Sequence, residues 1–174
     1  RDEVELLQFI TCRLADSLPQ EKLRQLEAEL LVLPAPEREL ARRKQIENRL
    51  DAGLGCCALR HPALAATVQN TFLHGDGQRY RLLAWCVMPN HVHVLIQPKV
   101  PLADSVRTWK SFTARWALAR YEALALGIPG RSLWMREYWD RYIRDERHLH
   151  QTIDYIHANP VKAALCREPK AWPW

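Results

Sequence analysis

His91-Val92-His93 and, far along the chain, Tyr155 with Asn159 are the residues whose types and spacing can do chemistry. Strand side chains alternate with period two, so both imidazoles leave one face while Val92, Val94 and Ile96 leave the other. Two nitrogen donors then approach one point. Such a pair binds a divalent ion incompletely, leaving positions for a carboxylate, an amide, water or a substrate oxygen. Tyr155 and Asn159 stand four apart, which on a helix puts them on one face, a turn from each other. That spacing suits phosphoryl transfer, because an ion must touch an oxygen of the phosphate that the nucleophile attacks. Each residue also has a plainer reading. A strand can carry two satisfied or exposed histidines, and an amphipathic helix buries a tyrosine ring while wetting its hydroxyl. Asn before Pro is a good N-cap, with Pro160 at the first helical position. Tyr138 and Tyr142 are competing nucleophiles.

The surrounding sequence discriminates between these readings. Ala84-Trp-Cys-Val-Met-Pro-Asn-His-Val-His-Val-Leu-Ile96 resembles the His-hydrophobic-His segment of the single-tyrosine HUH (IS200-like) transposases, and looks most like their REP-associated tyrosine transposase branch. Asp154-Tyr-Ile-His-Ala-Asn-Pro-Val-Lys-Ala-Ala164 resembles the family's second stretch, and with Trp134 to Asp145 the likeness covers roughly residues 79–165. The resemblance implies that Tyr155 attacks and that His91, His93 and Asn159 hold the ion, Mg²⁺ or Mn²⁺. It implies a single-strand DNA endonuclease and strand-transferase acting at hairpin or palindromic DNA. The product would be a 5′-phosphotyrosine adduct with a free 3′-hydroxyl, reversible by the hydroxyl of another strand without ATP. Related enzymes often carry Gln or Glu where Asn159 stands, and a neutral Asn makes a weaker site. The alternative is a protein that keeps the fold and grips DNA hairpins without cutting. A small-molecule metalloenzyme using the histidine pair fits less well, since no carboxylate ligand is evident.

Charge agrees with a nucleic-acid partner. Net charge is +5, and its distribution is uneven: residues 1–98 carry twelve basic and twelve acidic side chains, residues 99–174 thirteen and eight. Nineteen of the 25 basic residues are Arg, whose planar fork grips phosphate oxygens in pairs. Arg107, Lys110, Arg115, Arg141 and Arg144 are the candidate phosphate contacts. Trp109, Trp116, Trp134 and Trp139 suit either stacking on unpaired bases or packing in the core.

The elements that must position these residues follow from pattern. With 174 residues, 48% of them hydrophobic, the chain has enough apolar surface for one domain over 1–174. Residues 4–14 predict a first strand. Residues 19–55 read as a helical insertion, two short helices separated near Leu33-Pro34-Ala35-Pro36. Pro62 to Leu73 predicts a helix, and Arg79 to Met88 with His91 to Gln97 a hairpin about Pro89-Asn90. Leu102 to Leu126 predicts a long helix, Tyr138 to Ile143 a short strand, and Glu146 to Ala158 a last helix that Pro160 interrupts or restarts. The order β-α-β-β-α-β-α is that of a ferredoxin-like α+β fold, an antiparallel sheet with helices on one face and the other face free. Five cysteines with no Cys-x-x-Cys pair argue against disulfides and structural zinc. The absence of a membrane-length apolar run and of a secretory signal reads as a cytoplasmic protein, bacterial and nucleoid-associated by the resemblance, acting as a monomer or homodimer.

Overall fold

The computed structural model describes residues 6–174. Four strands, β1 (Gln8–Arg13), β2 (Tyr80–Val87), β3 (His91–Pro98) and β4 (Trp139–Tyr142), form one sheet in the order β2-β3-β1-β4. All three pairings are antiparallel, which is the strand order a split β-α-β chain produces. Residues 4 and 5 of the expected first strand lie outside the described residues, and the strand itself is the shorter Gln8–Arg13.

Five α-helices complete the fold: α1 (Gln20–Leu30), α2 (Ala35–Asp51), α3 (Pro62–Gly75), α4 (Leu102–Leu118) and α5 (Glu146–Lys162). The main core fills one side of the sheet. Ile10, Cys12, Val92, Val94 and Ile96 meet Leu64, Val68 and Phe72 of α3 and Val106 and Trp109 of α4. Burying a side chain of this size stabilises by roughly 1.5–3 kcal/mol, so this layer sets the register of β3. A slip of one residue would carry its histidines into the core.

The expectation of a free second face is wrong. Phe9, Ala84, Cys86, Met88 and Leu95 pack there against Ile156, Leu149 and Ile153 of α5. The reason is the seventh element: an amphipathic helix after β4 has an apolar stripe to bury, and the remaining sheet face is where it goes. The α1–α2 insertion covers the rest. Its own core of Leu18, Leu26, Leu30, Ile46 and Leu50 packs against Trp139 of β4. The two roots of this inserted α1–α2 hairpin are clamped to each other, the Cys56 amide donating to Asp16 Oδ2 at 2.5 Å. Gly55 makes that clamp possible, with φ at +88° and a position where a Cβ would lie 2.7 Å from the Asp16 carbonyl oxygen.

Two helix ends differ from the sequence reading. α4 stops at Leu118 rather than Leu126, because the chain folds back to bury Leu126 and Ile128 in the main core. Tertiary burial overrides local propensity there. α5 runs through Pro160 to Lys162. The proline costs the ladder the one bond its N–H would make, and the helix end is closed beyond it by the Ala163 and Leu165 amides donating to the Asn159 and Pro160 carbonyls at 3.0 and 2.9 Å; both it and Asn159 are buried. Asn159 is therefore interior to α5 and is not an N-cap. The cap is Asp145, whose Oδ1 accepts from the His148 amide at 2.7 Å.

Candidate active site

Strand alternation aims His91 and His93 at the second sheet face, and what surrounds them there keeps both neutral and fixes the tautomer of His91. The Asn90 Nδ2 donates to the Leu54 carbonyl at 2.9 Å, so its Oδ1 is the atom that meets His91 Nδ1 at 2.8 Å. His91 Nδ1 must carry the proton, and Nε2 presents a lone pair. His93 Nδ1 lies 2.9 Å from Thr11 Oγ1, its neighbour across β1. The two Nε2 atoms face each other at 3.1 Å. Both rings are buried. Burial pushes His91 down to about 3, and burial, then His91, Arg141 and Lys162, hold His93 well below its ordinary value.

With Thr11 Oγ1 donating to Nδ1, His93 carries its proton on Nε2 and donates it to the His91 Nε2 lone pair; with the proton on Nδ1, both Nε2 lone pairs face one point. A pair bound to one ion at about 2.1 Å and at right angles would be about 3 Å apart, so the observed separation fits a shared cation. Among the described residues, no three His, Cys, Asp or Glu side chains are gathered tightly enough to hold an ion unaided. The donor set is mixed, with an amide beside the imidazoles.

α5 brings Tyr155 and Asn159 to the same place. The Tyr155 ring lies 5.3 Å from the His93 ring and 6.0 Å from Phe9, both edge-on, and Phe9 stacks on His93 at 5.3 Å. Asn159 Nδ2 sits 3.4 Å from His93 Nε2, while its Oδ1 is buried with no hydrogen-bond partner. A half-turn of the amide exchanges nitrogen for oxygen at the centre, which is the change a cation there requires. Tyr155 Oη is likewise buried without a hydrogen bond. Burial, then the charges of Glu47 and Asp51, push its phenol well above the usual tyrosine value. Lys162 lies over its ring at 4.7 Å.

Glu47 and Asp51 are the residues that sequence reasoning missed. They stand one turn apart on α2 and reach the seam between the insertion and α5. Asp51 Oδ1 is 3.8 Å from His91 Nε2 and has no hydrogen-bond partner. Its carboxyl is pushed up to about 6, by burial first and then by Glu47, against Lys162 and Asn159. Glu47 is also raised by burial, with Arg141, the nearby Tyr155 hydroxyl, Lys162 and Arg43 pulling the other way. The only signal for them in the sequence is an i, i+4 acidic pair, which is indistinguishable from a solvated helix face.

The five expected phosphate contacts divide between the two faces. Arg141 lies over the Phe9 ring at 4.8 Å and, with Arg144, lines a cleft of about 760 Å³ between α2 and the start of α5. Arg43, Lys44, Arg147 and His148 line it too, beside Glu47. The structure does not bring the other three to the site, because α4 packs on the opposite sheet face. There Arg107 pairs with Asp104, Arg115 lines a separate groove, and Lys110 Nζ donates to the carbonyls of Met135, Arg136 and Glu137. Trp109 and Trp134 are core residues, donating to Tyr80 Oη at 3.0 Å and Thr113 Oγ1 at 2.8 Å. Tyr138 packs against the main core, and Tyr142 is on β4 opposite Gln8, so neither shares the seam with the histidines. All five cysteines are free. No helix among the described residues is long and apolar enough to cross a membrane.

With this geometry in view, similarity to known proteins gains meaning. A family model described as "Transposase IS200 like" matches residues 67–159, from α3 to Asn159. A REP-associated tyrosine transposase of Escherichia coli K12 is 27% identical over 96 residues, covering 55% of this chain and 53% of that protein. A relative from Haemophilus influenzae is 26% identical over 103 residues, covering 55% and 57%. The chain thus spans about half the length of the curated relatives it matches. A solved structure of a REP-associated tyrosine transposase bound to a REP hairpin superposes with a TM-score of 0.55 at 16% identity, covering 100% of this chain and 78% of the other, and shares the fold.

Proposed function

Because the chain belongs to the IS200-like transposase family, we propose that it is a divalent-cation-dependent nickase and strand-transferase that acts on hairpin-bearing single-stranded DNA through Tyr155. One observation carries this reading: the Nε2 atoms of His91 and His93, 3.1 Å apart, lie beside the ring of Tyr155 and the amide of Asn159. The Tyr155 ring lies 5.3 Å from the His93 ring of the same chain, which supports a tyrosine that acts in cis.

His91, His93 and Asn159 would hold the cation, Mg²⁺ or Mn²⁺, with imidazole donors favouring Mn²⁺. When bound, it supplies positive charge to the scissile phosphate and to the developing phenolate. The phenol needs that help, since burial and two acidic neighbours keep it protonated. Tyr155 Oη forms the new P–O bond and the bond to the 3′ oxygen breaks, leaving a 5′-phosphotyrosine and a 3′-hydroxyl. Glu47 accepts the phenol proton, and the departing oxygen takes one from solvent. Asn90 and Thr11 keep the imidazoles oriented, and Phe9 backs His93. Arg43, Lys44, Arg141, Arg144 and Arg147 offer a path for the phosphate backbone along the cleft. Incubation with a hairpin-bearing single-stranded oligonucleotide and Mn²⁺ should give an adduct that survives SDS. Chelation with EDTA should abolish it, and an undiminished adduct in EDTA would refute the cation's role. A protein that binds the hairpin but never yields adduct would be a non-cleaving binder.

A further inference from the structure

The inserted α1–α2 hairpin lies outside the residues matched by the family model, yet its second helix ends at the histidine pair. Asp51 Oδ1 faces His91 Nε2 at 3.8 Å with no hydrogen-bond partner, and the fully buried Asn159 turns a second unpartnered oxygen to the same seam. A carboxylate that only oriented His91 would accept a proton from it. This one cannot, because the His91 proton is on Nδ1, bound to Asn90. A carboxylate oxygen facing a nitrogen lone pair is repulsive, and α2 holds it there nonetheless. We propose that Asp51 is a ligand of the cation at His91 and His93, so that the inserted hairpin completes the site with a carboxylate. The proposal rests on the cation reading above.

The chemistry of the donors supports it. Two imidazoles and an amide are neutral, and a neutral set holds a divalent ion weakly. One carboxylate supplies the missing charge and makes the set more suited to Mn²⁺ than a purely nitrogen one. Geometry needs little adjustment: ligands at right angles on one ion sit about 3 Å apart, so a shift of under about 1 Å closes the Asp51 to His91 gap. The hairpin's roots allow it, since Asp16, Gly55 and Cys56 clamp entry to exit while Leu54 holds Asn90. The same carbonyl contact that fixes the His91 tautomer thus lies three residues beyond the ligand on the hairpin's exit.

The test is a titration of the full chain, without DNA, with Mn²⁺, following the free-ion signal by electron paramagnetic resonance. Asp51→Asn keeps shape and removes charge, Asp51→Glu keeps charge, Glu39→Gln removes an exposed acid from the same helix, and His93→Ala removes an imidazole. We expect Asp51→Asn to weaken Mn²⁺ binding by at least about tenfold, the scale on which even supporting groups act, Asp51→Glu to recover part of it, and Glu39→Gln to match the parent. Circular dichroism and a melting temperature at or above the parent's would show that Asp51→Asn folds. If it folds and binds as the parent does while His93→Ala has lost the ion, the Asp51 proposal is overturned and the histidine site stands. If His93→Ala binds as the parent does, or the parent does not bind, both are overturned.

Discussion

On one face of β3, Val92, Val94 and Ile96 meet α3 and α4 in a layer where Trp109 donates to Tyr80, Tyr80 to the Phe72 carbonyl and Trp134 to Thr113. On the other, His91 and His93 face each other nitrogen to nitrogen, and Tyr155, Asn159 and Asp51 each bury an unpartnered oxygen. One strand, read at alternate residues, separates an apolar layer from one in which apolar contacts with α5 surround a polar centre short of partners. Unpaired buried polar groups cost about 1–3 kcal/mol each, and the packing on both faces that holds β3 in register offsets that cost.

The contrast should break most visibly in two assays that fail on opposite sides. Tyr155→Phe should remove the adduct altogether, by at least about 10³-fold given that no other nucleophile stands at the site. It should also leave melting unchanged or raised by about 1 kcal/mol, because a buried unsatisfied hydroxyl is gone. Trp109→Ala, from the opposite face, should lower stability by about 3–5 kcal/mol, while adduct yield per folded molecule is preserved. Equal damage to both properties by either variant would dissolve the distinction. Glu47→Gln should slow adduct formation by about 10²-fold, with DNA binding retained in gel-shift measurements.

Acid should act on the polar face. With both histidines held neutral by burial, His91 at about 3, their folded values lie below the unfolded one of about 6.5. Their contribution is therefore complete above pH 6.5 and is lost as pH falls towards 3. Asp51, raised to about 6, has the opposite sign and returns stability between pH 6 and 4. Metal-free protein should thus melt lower as pH falls below 6.5, and Asp51→Asn should steepen that decline. A flat profile in the parent would contradict the neutral histidines. The smallest effects belong to charge: Arg141→Ala should weaken hairpin DNA binding and lower its salt slope by about 1, whereas Lys110→Met should leave both untouched.

Much of this arrangement was legible in the sequence because its signals are local. Alternation in His91-Val92-His93 fixes which face each side chain takes, and the spacing of Tyr155 and Asn159 fixes their shared turn. Pro160 misled because the helix gives up one ladder bond there and still runs on to Lys162, so Asn159, which suited an N-cap as well as a ligand, lies inside α5, whose cap is Asp145. Arg107, Lys110 and Arg115 misled because composition does not say which face a helix covers. Glu47 and Asp51 were invisible for a different reason. Their proximity to His91 depends on how an inserted hairpin leans across a sheet, a long-range contact that neither period nor motif encodes.

Mass spectrometry of the digested covalent adduct tests the central claim most directly, by locating the residue that carries the nucleotide. The expected result is a 5′-phosphodeoxynucleotide on Tyr155, in the α5 peptide alone. Modification of Tyr138, Tyr142 or any residue away from the histidine seam would contradict the account.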